Sequence, residues 1–237
     1  PFALQAPQRL PRHIMRKKTF GGAGGRIPQI CSRLSRCSVF ADVGCDHGYV
    51  AQYMLENDLC DRAIISDISP KSLGKAQKLL KNFTSAGRLS AVCCDGLKGV
   101  SGADLVLIAG MGGDEIVKIL KEGYIPQSFV FQPMKNAPCL RSYLISEGCA
   151  IDEDDVFKDG KFYFIIKGRA QGGTPAYTPA QMQFGRDSLK NPVLKDFLAE
   201  EISKTQTYLK GDMSPQSRAD LCGKLAFLKG VHSGEII

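Results

Sequence analysis

The 237-residue chain has no apolar run approaching the ~18 residues of a membrane-spanning helix, so no such helix is expected within it. Its nine cysteines (positions 31, 37, 45, 60, 93, 94, 139, 149 and 222) contain no C-x-x-C pair and no zinc-ligand spacing, so no metal is expected. Their odd number makes a poor disulfide framework, and small buried thiols suit a reducing cytoplasm. The adjacent Cys93 and Cys94 read as core packing ahead of redox chemistry. No continuous apolar core follows the N-terminal charges, which argues against a signal peptide. What remains is a soluble, cytoplasmic chain long enough for one α/β domain and a small appendage.

One shortage is local. Residues 1–40 hold eight Lys and Arg and no acid, whereas the rest of the chain carries 23 bases and 24 acids, so the net +7 sits at one end. Such an arm suits a polyanion such as nucleic acid. Residues 1–23, with their prolines and Gly21–Gly25, read as a flexible basic leader containing Met15 as a candidate natural start.

The spacing of Ile27, Ile30, Cys31 and Leu34 indicates a helix beginning near Arg26. Strands are then expected at 39–43, 63–67, 89–93, 104–109 and 128–132. Helices are expected at 49–57, from the Ser69-Pro70 cap to about 83, at 115–121 and at 139–147. Two further strands flank Asp159-Gly160, a hairpin signal. This alternation indicates a Rossmann-like, doubly wound, mostly parallel sheet with one reversed strand over residues 24–170. Residues 171–190 read as a linker and connecting segment. Asn191-Pro192 and Ser214-Pro215 each open a helix, giving a coiled-coil-like antiparallel hairpin over 191–237. Its charges nearly balance, so packing or interaction is its default role.

The chain is organised around Ser38-Val-Phe-Ala-Asp-Val-Gly-Cys-Asp-His-Gly-Tyr49, a buried strand breaking into a tight turn and a helix. The dinucleotide fingerprint G-x-G-x-x-G, aligned on Gly44, meets Asp46 and Tyr49 at its glycine positions, which disfavours hydride transfer. The D/E-x-G-x-G-x-G loop of class I methyltransferases fits better, with Asp42, Gly44 and Gly48 matched and Asp46 replacing the middle glycine. Asp67 closes the second strand, where an acid can accept from ribose hydroxyls. Asp95 closes the third, where it can accept from an exocyclic adenine amine. Each acid alone is an ordinary solvated turn residue. Three at successive strand ends, with no phosphate-binding loop, suit a cationic nucleoside without phosphates: S-adenosylmethionine. Strand 4 ends in Ala109-Gly-Met-Gly-Gly113, without the Asn/Asp-Pro-Pro-aromatic motif of many amino-methylating enzymes. Met111 offers either a soft surface to a base or a core contact. Gln132, before Pro133, either presents a carboxamide to a base or simply ends a strand. His47 is either a base or an orienter of the turn.

Together Ala41-Asp-Val-Gly-Cys-Asp-His-Gly-Tyr49, Ile108-Ala-Gly-Met-Gly-Gly113, Phe131-Gln-Pro133 and Asp159-Gly-Lys-Phe-Tyr163 resemble the bacterial tRNA (adenine-22-N1)-methyltransferases, over about residues 24–233. Pro28 in the first helix and the glycine-rich leader depart from that family's pattern. The resemblance implies transfer of a methyl group from S-adenosylmethionine to N1 of an adenine in tRNA. The implied cofactor set is Asp42, Gly44, Asp46, His47, Gly48, Asp67, Ile68, Asp95, Gly96, Ala109, Gly110 and Met111. Asp46, Met111, Gly112 and Gln132 are the catalytic candidates, and Arg26, Arg33 and Arg36 the RNA-binding ones. The alternatives are a methyltransferase of another RNA or a small molecule, and a non-catalytic tRNA-binding protein on this scaffold.

Overall fold

The computed structural model describes residues 25–237; the basic leader expected over 1–23 lies outside them. A short helix α1 (Arg26–Cys31) precedes seven strands that form one sheet: β1 (Cys37–Val43), β2 (Cys60–Asp67), β3 (Leu89–Cys93), β4 (Leu105–Met111), β5 (Ser128–Pro133), β6 (Ala150–Asp159) and β7 (Lys161–Arg169). Their order is β3-β2-β1-β4-β5-β7-β6, and β7 alone is reversed, pairing antiparallel with both β5 and β6. The order reverses between β1 and β4, the switch point at which open α/β sheets bind ligands.

Both faces are covered because the strands carry apolar residues on both sides, as parallel strands must. Phe40, Leu105 and Leu107 pack with α1, with α2 (Tyr49–Glu56) and with α3 (Pro70–Leu79). Their neighbours Ala41, Val106 and Ile108 face α5 (Gly113–Glu122) and α6 (Ala137–Ser146) on the other side. The caps expected from sequence are formed: Ser69, Asn191 and Ser214 each accept a backbone N–H at the start of their helix.

Three elements differ from the sequence reading. β2 starts at Cys60, because the exposed Asp61 and Arg62 extend a ladder that an apolar pattern does not mark. The helix after Ser69 breaks where Leu80 leaves helical geometry with its side chain fully buried, and α4 (Lys81–Ser85) restarts beyond it. Within 171–190 lies α7 (Pro179–Phe184), opened by a capping box between Thr178 and Gln181. Its Ala180 and Phe184 pack with Val156 of β6 and with α8 (Pro192–Tyr208) and α9 (Pro215–Ser233). The hairpin is antiparallel: Arg218, early in α9, donates to the carbonyls of Leu209 and Gly211, and Lys224 pairs with Glu201.

Where α6, β6 and α7 meet, Arg141 and Asp154 form a fully buried ion pair, with Nε–Oδ2 at 2.8 Å. The remaining guanidinium N–H groups serve the carbonyls of Met182 and Gln183 at 3.2 and 3.1 Å. A buried charge without partners would cost several kcal/mol, about 3–5 if one partner were removed. Here nearly every donor is used, and the pair fastens α7 to the sheet.

Candidate active site

The carboxyl ends of β1, β2 and β4, together with the loop after β3, line a cavity of about 530 Å³. Asp42, Asp67 and Asp95 all border it, so the three acids of successive strand ends share one hollow.

The turn after β1 is built by backbone approach. The N–H groups of Gly44 and Cys45 both donate to the carbonyl of Ser66 on β2, at 2.8 and 3.0 Å. Gly44 has φ +71°, a conformation that favours glycine, and the Met111 methyl occupies the space a Cβ would take. Asp46, at the fingerprint's middle-glycine position, also adopts a left-handed conformation, φ 45°, which aspartate tolerates better than most residues. Its N–H donates to Asp67 Oδ2 at 3.1 Å, while Asp67 Oδ1 accepts from Ser69 N at 2.8 Å. Asp67 therefore ties the turn to the start of α3 and retains accepting capacity toward the cavity. Asp46 Oδ2 lies 3.5 Å from His47 Nε2, and the His47 ring stacks on Tyr49.

Asp42 is buried, and one oxygen accepts from the Ala51 N–H at 3.3 Å. Burial pushes its carboxyl up to about 7; the Ala51 hydrogen bond opposes the shift and neighbouring Asp67 adds to it. Asp95 is half exposed and 3.4 Å from Lys98. Opposite these acids, β4 runs two residues past its expected end. Its register shifts between Ala109 and Met111, and Gly110, φ +82°, bulges at the cavity wall.

The remaining wall comes from α1. Arg26 lines the cavity, its N–H donates to Asp159 Oδ2 at 2.7 Å, and its guanidinium lies over the Tyr163 ring and 3.7 Å from Met134 Sδ. The Asp159–Tyr163 segment thus holds the first helix at the cavity mouth.

Of the residues singled out from sequence, Asp42, Gly44, Asp46, His47, Asp67, Ile68, Asp95, Gly96, Ala109, Gly110, Met111 and Arg26 line the cavity. Gly48 stands behind it, packed against Ala76 of α3. Gly112 and Gln132 do not line it. Gly112 caps α5, and buried Gln132 donates its Nε2 hydrogens to the Pro133 carbonyl and Met134 sulfur, leaving Oε1 without a partner.

The other two arginines expected to meet RNA, Arg33 and Arg36, do not line this cavity. Arg33 is held by Glu153 at 3.1 Å and Asp155 at 3.8 Å, so its charge is neutralised within the chain. Arg36 borders a second hollow at the amino ends of β1, β4 and β5. The length of β1, about 20 Å, separates it from the acids. Sequence reasoning missed Tyr49, Ser66, Cys94 and Glu115 as lining residues. Ser66 directly precedes an acid already singled out, which was the available signal.

A Rossmann-like sheet with an acid-lined hollow at its switch point defines a nucleoside-binding α/β enzyme fold. Residues 23–166 match the model of the methyltransferase domain, and the chain belongs to that family. It is 32% identical over 152 residues to a putative tRNA methyltransferase of Mycoplasma pneumoniae, covering 62% of this chain and 70% of that protein. It is 29% identical over 226 residues to the tRNA (adenine(22)-N(1))-methyltransferase of Bacillus subtilis, covering 87% and 95%. Among solved structures, M. capricolum TrmK in complex with S-adenosyl-homocysteine superposes with a TM-score of 0.81 at 21% identity, covering 89% of this chain and 97% of that one. A putative tRNA (m1A22) methyltransferase of Streptococcus pneumoniae in complex with S-adenosyl-L-methionine gives 0.77 at 23%, covering 87% and 98%. These structures share the fold. Among the described residues no helix is long and apolar enough to cross a membrane, and no cluster of metal-ligating side chains occurs.

Proposed function

We propose that this protein methylates N1 of adenine-22 in tRNA, using S-adenosylmethionine, in the cytoplasm. The observation that carries the reading is the convergence of Asp42, Asp67 and Asp95 on one cavity whose lining, among the described residues, contains Arg26 as its only Lys or Arg. That donor set suits a cationic nucleoside without phosphates. The volume lies within the ordinary range for small-molecule sites, about 300–1,000 Å³. Ser66 Oγ, buried on this wall beside the Cys94 thiol, adds a further polar group to it. The residues present fit the cofactor.

In this reading Asp67 accepts from the ribose hydroxyls, Asp95 from the adenine amine, and Asp42 with the Gly44–Gly48 turn holds the cationic end. Ile68 offers an apolar edge beside them. When bound, the cofactor supplies the sulfonium methyl that passes to the ring nitrogen. N1 already has a lone pair, so the protein needs no strong base; its task is alignment, worth up to ~7–11 kcal/mol of barrier. N1 lies on the Watson–Crick edge, so the base must leave its stack to react. In this reading Arg26, with Tyr163 and Met134 around it, meets that base or its phosphate at the cavity mouth. Asp46 and the Gly110–Met111 backbone face the positive charge left on the base. Residues 24–170 form the methyltransferase unit in this proposal, and the hairpin over 191–237 is an RNA-facing or packing arm.

Calorimetry should detect S-adenosylmethionine binding, and tRNA from a strain lacking the protein should lack the methyl group on N1 of adenine-22. Absent cofactor binding would favour a non-catalytic scaffold. A methyl group missing elsewhere would move the substrate.

A further inference from the structure

No acid occurs between Asp67 and Asp95, a stretch that holds Lys71, Lys75, Lys78, Lys81 and Arg88. At 3.6 residues per turn Lys71, Lys75 and Lys78 fall within roughly 60° of one another on α3, opposite the buried Leu73, Ala76 and Leu80. They form an outward row about 10 Å long. All three are exposed, and among the described residues none has an ion-pair partner.

Two lysines of the hairpin are paired instead. Lys204 pairs with Glu200 and Glu201, and Lys224 with Glu201. The α3 row also begins at the cavity: Asp67 accepts from Ser69 N, the residue capping α3, and Ile68 between them is 69% exposed. Gly74 lies beside the row, and a Cβ added there would touch nothing. No packing reason explains a helix-weakening glycine, while the missing side chain leaves the backbone open to close approach.

Resting on the methyltransferase reading above, we infer that this α3 ridge is a docking surface for the phosphate backbone of the tRNA, gripping the substrate beside the cavity into which the target base is delivered. The row's uncompensated charge matches a polyanion, and its start at the rim lets one strand reach both.

The test is the variant Lys71→Gln/Lys75→Gln/Lys78→Gln in the full chain. Its tRNA affinity should fall about tenfold or more at physiological salt, with the slope of log affinity against log salt shallower by about 2–3. Its melting temperature and S-adenosylmethionine affinity should stay unchanged, and the corresponding triple Arg variant should keep tRNA affinity. Unchanged affinity and slope in the Gln variant, with the wild type still methylating tRNA, would overturn the ridge and leave the enzyme reading standing. Wild-type protein that binds S-adenosylmethionine but neither binds nor methylates tRNA would overturn both.

Discussion

Two buried aspartates on the same sheet show how this protein separates stability from function. Burial pushes both carboxyls up. At Asp154 the Arg141 guanidinium opposes the shift with three hydrogen bonds between 2.8 and 3.0 Å. At Asp42 the opposing contact is one backbone N–H, and the residue borders an open cavity. A buried charge paired inside the chain can only hold elements together. One left with spare accepting capacity beside a hollow is available to a cationic ligand.

The largest effect that would sharpen this contrast is at the paired site. Arg141→Ala should destabilise the protein by about 3–5 kcal/mol in urea unfolding, because Asp154 is then buried without a cation. A loss below about 1 kcal/mol would reduce the pair to the rank of a surface bridge. Next comes the open site. Asp67→Ala should weaken S-adenosylmethionine binding by about 1.5–3 kcal/mol, roughly tenfold or more, as expected for hydrogen bonds to a charged group. Affinity for tRNA should be largely kept; an equal loss of both would argue against the cofactor role.

The last effect is on pH dependence. Asp42 has a folded-state value of about 7 against an ordinary 3.8, so folding favours its protonated form. Its contribution to stability is fully present below about pH 4 and is lost as pH rises through about 7. Asp42→Asn keeps an acceptor for Ala51 and removes this titration. The variant should therefore lose less stability than the wild type between pH 4 and 8, by up to about 4 kcal/mol at about 1.4 kcal/mol per pH unit. Parallel stability–pH curves for the two proteins would show that Asp42 does not titrate in that window.

Removing 180–237 would be a poor test of the hairpin, since it strips Phe184, Leu194 and Leu228 from Val156 and takes away two carbonyl partners of Arg141.

Much of the site was legible because its signals are local. Gly44, Asp67 and Asp95 stand where a strand stops and the chain turns, and that boundary is written in a few adjacent residues. The α7 capping box was equally local, but the surrounding Gly and Pro masked it. Arg33 could not be read this way, since Glu153 lies 120 positions away and local sequence shows only an exposed-looking helix cation. Gln132 is a similar case: its amide N–H groups go to Pro133 and Met134, a pairing that only packing reveals.

The amino-acid sequence alone determined the alternation of strands and helices, the one reversed strand and the acids at successive strand ends. These follow from periodicity, caps and turn chemistry within a few residues. The tertiary structure decided which charges are spent inside the molecule and which stay free: Arg33 and Arg141 are neutralised, while Arg26 and the α3 lysines are not. Charge pairing depends on distance in space, and folding alone sets that distance for residues far apart along the chain.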